Sequence, residues 1–379
     1  MPRRREVLLS IVSAVLAVVA FAGLAELALR LLPVASGLRT MAVTAESPVF
    51  RLTPNRDYVY SRDWDLVMVN HGRVNNAGFV NDRDYAKSGA APVLAVIGDS
   101  YIEALMVPFA DTLQGRLAKA LDGKARVYSF AASGAPLSQY LIWAQYAVRE
   151  FGAKALVINV VGNDFDESHV DYKLAQGFWH YSPEPDGRLR LRLNEYVPGL
   201  KHFLVSRSAL LRYLVFNVRI AHIEVDLSPV RQFFFGTPEP ARKSERVMDS
   251  PMHAGNTVAT ITVPREVKSL AVIDAFFRDL PEMTGMSPVQ IAFLMDGFRY
   301  PEAAASAANT YFGRMRAAFK ARAEAVGYEV IDLDPIFLAD FAHRHQRFEF
   351  PRDGHWNAMA HGIVAEAALR SKLVWRISK

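Results

Sequence analysis

Apolar residues along this chain fall into two kinds of pattern, short unbroken runs and longer stretches repeating every three to four positions. The run Pro92–Ile97 (PVLAVI) is apolar and ended by Gly98, and Ala155–Val161 (ALVINVV) shows no polar alternation beyond Asn159; Ala125–Phe130 (ARVYSF), Val289–Met295 (VQIAFLM) and Tyr328–Leu333 (YEVIDL) are read as three further strands. Such runs are expected of parallel strands buried on both faces. Between them, Leu113, Leu117 and Leu121 repeat at four, and Leu141, Ala144 and Val148 share one face of a helix over Leu137–Phe151. Helices are also expected over Tyr311–Val326 and Asn357–Leu373. Strand–helix units in this order predict a three-layer α/β/α sandwich around a five-stranded parallel sheet, flavodoxin-like in its winding. In such sheets reactive groups gather outside the carboxyl ends of the strands.

The alternation fails in three places. Residues Val7–Leu24 run eighteen positions without a charge, directly after Arg3, Arg4, Arg5 and Glu6. That length suffices for one membrane span, and the arginines place the N-terminus in the cytoplasm and the rest outside. Glu26 and Arg30 follow as an i,i+4 pair at the outer interface. A cleaved signal peptide is the rival reading, with Val34-Ala35-Ser36 a poor cleavage site. The expected arrangement is an anchor over 1–32, a lead-in without sustained period over 33–89, and a catalytic domain over 90–379. Residues 165–264 form an insertion into that domain, too long for a bare loop. It holds a hairpin signal at Pro185-Asp186-Gly187 before RLRLRL (Arg188–Leu193), an arginine-dotted apolar helix around Ala209–Ile220, and Phe233-Phe234-Phe235. It reads as a cap, its arginines belonging to a solvated edge strand or meeting an anionic headgroup or glycan.

Charge and cysteine content narrow the chemistry. The formal net charge of +5 is too small to suggest nucleic-acid binding. With no cysteine in the chain, disulfides, thiolate nucleophiles and cysteine-based zinc sites are excluded. Covalent catalysis must then fall on Ser, Thr, Lys or a carboxylate. Phosphate-binding GxxxxGK[ST], dinucleotide GxGxxG and HExxH motifs are absent, and no cofactor is expected. His343 and His345 with Asp340, or the run Asp164, Asp166, Glu167, His169 and Asp171, are the metal candidates; solvated residues and a cleft lining are preferred, so no metal is expected.

Four short segments carry an acyl-transfer set. Gly98-Asp99-Ser100 follows the first strand, Ser133-Gly134 the second, and Gly162-Asn163-Asp164 the third; Asp353-Gly354-His355-Trp356-Asn357 precedes the last helix. A serine hydroxyl needs a neutral imidazole to take its proton, and the imidazole needs a carboxylate to fix its tautomer. Ser100, His355 and Asp353 supply these, while the N–H groups of Ser100 and Gly134 and the Asn163 amide can donate to an oxyanion. The nucleophile elbow of α/β-hydrolases is excluded because Ile102 stands where it needs glycine.

These segments resemble the four sequence blocks of the SGNH (GDSL esterase/lipase) hydrolases over about Pro92 to Ser371, the insertion apart. The resemblance implies Ser100 as nucleophile, Gly134 and Asn163 as oxyanion donors, His355 as base and Asp353 as its orienting acid. Two departures stand out. The acid precedes the histidine by two residues rather than three, as in the alginate-type O-acetyltransferase branch, and Ala104 stands where a common variant has glycine.

The function expected is an extracytoplasmic serine esterase cleaving an acyl ester, acetyl in first place, on a glycan or lipid. It would be held single-pass in the inner membrane with its catalytic domain periplasmic or extracellular. An O-acyltransferase using the same serine is the alternative, and with one span it would need a membrane-bound acyltransferase partner. A non-catalytic binding component of surface-polymer assembly is the third reading, against which the complete set of five residues argues.

Overall fold

The computed structural model describes residues 2–220 and 259–379, and the chain divides into two compact units. Phe233-Phe234-Phe235 lies outside the described residues. The units cut across the sequence boundaries. Among the described residues, the first takes those up to Arg39, Asp57–His71 and 198–220, while the second holds the rest. The stretches 33–89 and 165–264 are thus each shared between two bodies.

In the first unit the helix Pro2–Leu29 holds the segment Arg4–Leu29, whose most apolar 18 residues have a mean hydropathy of 2.7. It is long and apolar enough to cross a membrane. Glu26 pairs with Arg30 at 2.8 Å. The same carboxylate accepts from Ser208 Oγ at 2.8 Å and from the backbone N–H groups of Ala209 and Leu210 at 3.0 and 2.8 Å. It therefore caps the helix Ala209–Arg212, whose first N–H groups have no partner within the helix. The strands β1 (Arg56–Arg62) and β2 (Met68–Val74), which run just past this unit's bounds, pair as a ribbon. Asn217 accepts from the Ala35 amide at 3.1 Å and donates to Ser61 Oγ at 2.8 Å.

The second unit is built on five parallel strands: β3 (Val93–Gly98), β4 (Arg126–Ala131), β5 (Ala153–Val160), β8 (Ile291–Met295) and β9 (Glu329–Asp332), in the order β4-β3-β5-β8-β9. β3, β5 and β8 are almost wholly buried, as their unbroken apolar runs require. Alternate residues serve opposite faces. Leu94, Val96, Val157 and Leu294 pack with Leu113, Leu117, Phe337, Val364 and Ala368 of the helices on one side. On the other, Phe293 meets Phe276, Phe277 and Phe319 at centroid distances of 6.0, 5.6 and 5.1 Å. This is the expected three-layer sandwich. The last helix is interrupted: Ala358–Leu369 and Lys372–Ile377 are separate, because Ser371 caps a new start by accepting from Val374 N.

β6 (Trp179–Pro183) and β7 (Leu189–Leu193) form the hairpin signalled by Pro185-Asp186-Gly187, with Arg190 and Arg192 exposed. β4 is an edge strand, and the lead-in covers its backbone. Tyr85 Oη accepts from Ser129 N and donates to Ser129 O, both at 2.7 Å. An otherwise unpaired edge is closed by a side chain.

Candidate active site

Adjacent strands fix the relative positions of the motif residues. Gly98 at the end of β3 is in register with Ala131 at the end of β4, and Ile97 with Ile158 of β5. Ser100, Gly134 and Asn163 each follow their strand within three residues, so all three leave the same edge of the sheet. Gly98 must be glycine: a Cβ there would lie 2.4 Å from Ile102 Cγ1. The turn into the short helix Ser100–Glu103 closes tightly over the strand, with Asp99 Oδ1 accepting from Tyr101 N at 2.9 Å. That helix ends at Ala104 in the left-handed conformation, φ 47°, a backbone state that glycine adopts freely. The departure at Ala104 is thus a residue held where glycine would be unstrained.

The structure brings Ser100, His355 and Asp353 into one chain of hydrogen bonds. Ser100 Oγ lies 2.7 Å from His355 Nε2. His355 Nδ1 contacts Asp353 Oδ1, which also accepts from the His355 backbone N–H at 3.1 Å. β10 (Glu349–Phe350) and β11 (Asp353–Trp356) form an antiparallel pair that carries the histidine. With a gap of only two residues, both side chains still meet because Asp353 folds back over the intervening glycine. Ser100 Oγ has a second acceptor, Asp99 Oδ2, at 3.3 Å. The single hydroxyl proton is placed better for the histidine. Burial pushes the Asp99 carboxyl up to about 6.

Gly134 and Asn163 are tied together by a cation. Lys173 Nζ donates to Gly134 O at 2.9 Å and pairs with Glu167. Glu167 Oε2 accepts from Asn163 Nδ2 at 3.0 Å. The carboxamide is therefore oriented by Glu167, one of the acidic run expected to line the cleft. Asp164 is fully buried, accepting from Tyr140 Oη and Val161 N, both at 2.8 Å. Burial raises its carboxyl well above the ordinary range.

Residues that the motif reading missed support the histidine. Arg299, fully buried, bonds Asp296 Oδ2 at 2.9 Å, Tyr101 Oη at 3.0 Å and Gly354 O at 2.8 Å. Trp356 Nε1 donates to Asp296 Oδ1 at 3.1 Å. The Tyr101 ring lies 4.9 Å from the imidazole. An arginine with no motif around it gives no sequence signal; only the fold brings it under the loop.

Among the described residues no cluster of three or more His, Asp or Glu is arranged to hold a metal ion. Asp166 faces Arg265, Asp171 pairs with Lys268, and Asp340 pairs with Arg344.

No family model matches the chain, and no curated protein matches it. Solved structures do. The lipase Lip_vut3 from a goat rumen metagenome is 12% identical, over 73% of this chain and 96% of its own, with a TM-score of 0.37. LAE5, an alpha/beta hydrolase enzyme from the metagenome of Lake Arreo in Spain, is 15% identical over 75% and 95%, TM-score 0.38. A member of the lipolytic protein G-D-S-L family from Veillonella parvula is 10% identical over 74% and 98%, TM-score 0.34. At such distances the functional assignment rests on this chain's own side chains.

Proposed function

We propose that this chain is a serine ester hydrolase of the SGNH type, and the hydrogen-bonded series Ser100–His355–Asp353 carries that reading. Ser100 Oγ gives its proton to His355 Nε2 as it attacks the ester carbonyl carbon, and the carbonyl oxygen becomes an oxyanion. The N–H groups of Ser100 and Gly134 and the Asn163 amide donate to that oxygen. Collapse breaks the bond to the leaving alkoxide, which takes the proton from His355 Nε2. Water then attacks the acyl-serine by the same route in reverse order. Asp353 holds the imidazole with Nδ1–H toward itself, leaving Nε2 as the acceptor.

The apolar helix and the arginines before it support a single-pass anchor in the inner membrane with the catalytic unit outside the cytoplasm. A glycan- or lipid-borne acyl ester, acetyl in first place, is the substrate class that such a location offers. A fluorophosphonate should label the purified protein at Ser100, and Ser100→Ala should remove both labelling and p-nitrophenyl acetate hydrolysis while the protein stays folded. Labelling that persists in Ser100→Ala would move the nucleophile elsewhere.

A further inference from the structure

The Ala132–Ala135 segment is a tight turn, closed by Ala135 N donating to Ala132 O at 3.1 Å. Its third residue, Gly134, has φ +76°, the signature of a type II turn, where glycine is favoured at that position. The central peptide of such a turn, here Ser133–Gly134, is the unit whose reversal interconverts types I and II. Reversal swings one N–H through about half a circle and leaves the flanking chain nearly in place. That N–H belongs to Gly134.

Both flanking peptides are held by side chains. Ser133 N donates to Glu103 Oε2 at 2.8 Å, and Ser133 Oγ bonds the same oxygen. On the other side, Gly134 O accepts from Lys173 Nζ. Glu103 stands three residues after Ser100 on the same short helix. One carboxylate therefore sets the spacing between the nucleophile and the turn. Glu103 is 3% exposed, and burial pushes its carboxyl up to about 7. A buried acid in such a place needs its hydrogen bonds met, and the Ser133 N–H and hydroxyl meet them.

We propose that Glu103 and Lys173 are positioning residues that hold the Ser133–Gly134 peptide in the one orientation that presents the Gly134 N–H to the reacting carbonyl oxygen. This rests on Ser100 as nucleophile and Gly134 as donor. Lys173 acts twice, because its other bond goes to Glu167, which orients Asn163. Neither residue touches the ester; both act through the turn.

The test uses the full-length protein, p-nitrophenyl acetate and a fluorophosphonate, with Glu103→Gln, Lys173→Met and the double variant. Glu103→Gln keeps the shape of the side chain and one acceptor, so it remains informative if Lys173→Met fails to fold. Each folded variant should lose about 10- to 100-fold in kcat, as a misaimed oxyanion donor does. KM should stay within about twofold, and labelling of Ser100 should be slowed but not abolished. The double variant should fall little below Lys173→Met, since Glu103→Gln acts only on the Gly134 N–H that Lys173→Met has already released. Unchanged kcat in a folded single variant, or losses that multiply in the double, would overturn the clamp. A wild type that neither hydrolyses the ester nor is labelled at Ser100 would overturn the esterase reading and the clamp with it. An active, labelled wild type with indifferent variants would overturn the clamp alone.

Discussion

Arg299 donates to the carbonyl of Gly354, the residue between Asp353 and His355, at 2.8 Å. The loop that presents the histidine is thus fastened from below by a fully buried guanidinium, itself neutralised by Asp296. Carboxylate, arginine, tyrosine and tryptophan form one frame under the imidazole.

Arg299→Lys should separate charge from geometry. A lysine keeps the positive charge beside Asp296 but loses the planar fork that reaches Asp296, Tyr101 and Gly354 together. We expect a folded protein with kcat lowered about 10-fold, a size set by sub-ångström drift of the base. Arg299→Met should instead unfold readily, because Asp296 would remain buried and charged; breaking such pairs costs about 3–5 kcal/mol. Chemical denaturation and ester turnover distinguish the two.

Asn163 is the sharpest probe of the proposed oxyanion donors. Asn163→Ala should lower kcat by about 10²–10³ with KM nearly unchanged, the cost of one donor. Asn163→Asp should be worse, since its carboxylate would face both Glu167 and the developing oxyanion. An active Asn163→Asp variant would leave Asn163 as a turn residue only.

Stability should depend on pH through the nucleophile turn. The folded-state values of Asp99 and Glu103 lie above their ordinary ones, at about 6 and about 7. The folded protein therefore holds protons that the unfolded chain releases, and stability from these groups is full below about pH 4. It is lost as pH rises through about 6 to 7. Glu103→Gln removes one such group, so its melting temperature relative to wild type should be higher at pH 8 than at pH 5. A difference that stays flat with pH would show that Glu103 ionises normally.

Glu26 should matter for folding as well as anchoring. Glu26→Ala leaves Ser208 as N-cap but removes the acceptor of the Ala209 and Leu210 N–H groups, and losing such capping bonds costs about 0.5–2 kcal/mol. A chain lacking Met1–Leu32 should leave the membrane fraction but melt below the full-length protein. Retention of that truncated chain on membranes after a carbonate wash would reveal a second attachment.

The strands were legible because a buried parallel sheet imposes runs without polar alternation, and β3, β4, β5, β8 and β9 each lie within two residues of their apolar runs. The series from Ser100 to Asp353 was legible because its members sit at strand ends or beside the last helix, where the winding must bring them together. The supports were not. Glu103 looks like an ordinary first-turn acid, Lys173 like a loop lysine, and Arg299 has nothing around it to suggest complete burial. Their roles arise from contacts across 30 to 55 residues of chain, which periodicity does not record. The division into units was hidden for the same reason, because 57–71 and 198–220 share a unit with the apolar helix through partners distant in sequence, such as Asn217 with Ser61.

The cap that Glu26 provides bears on how the N-terminal segment is treated by the cell. A leader peptide is disposable: once cut, nothing in the mature protein depends on it. Here the last turn of the apolar helix completes the backbone hydrogen bonding of a segment some 180 residues downstream. Val34 and Ala35, the first two residues of the weak cleavage sequence, are buried at 5% and 7% exposure. A peptidase acting there would take away Glu26, and with it the acceptor of two backbone N–H groups in the remaining scaffold.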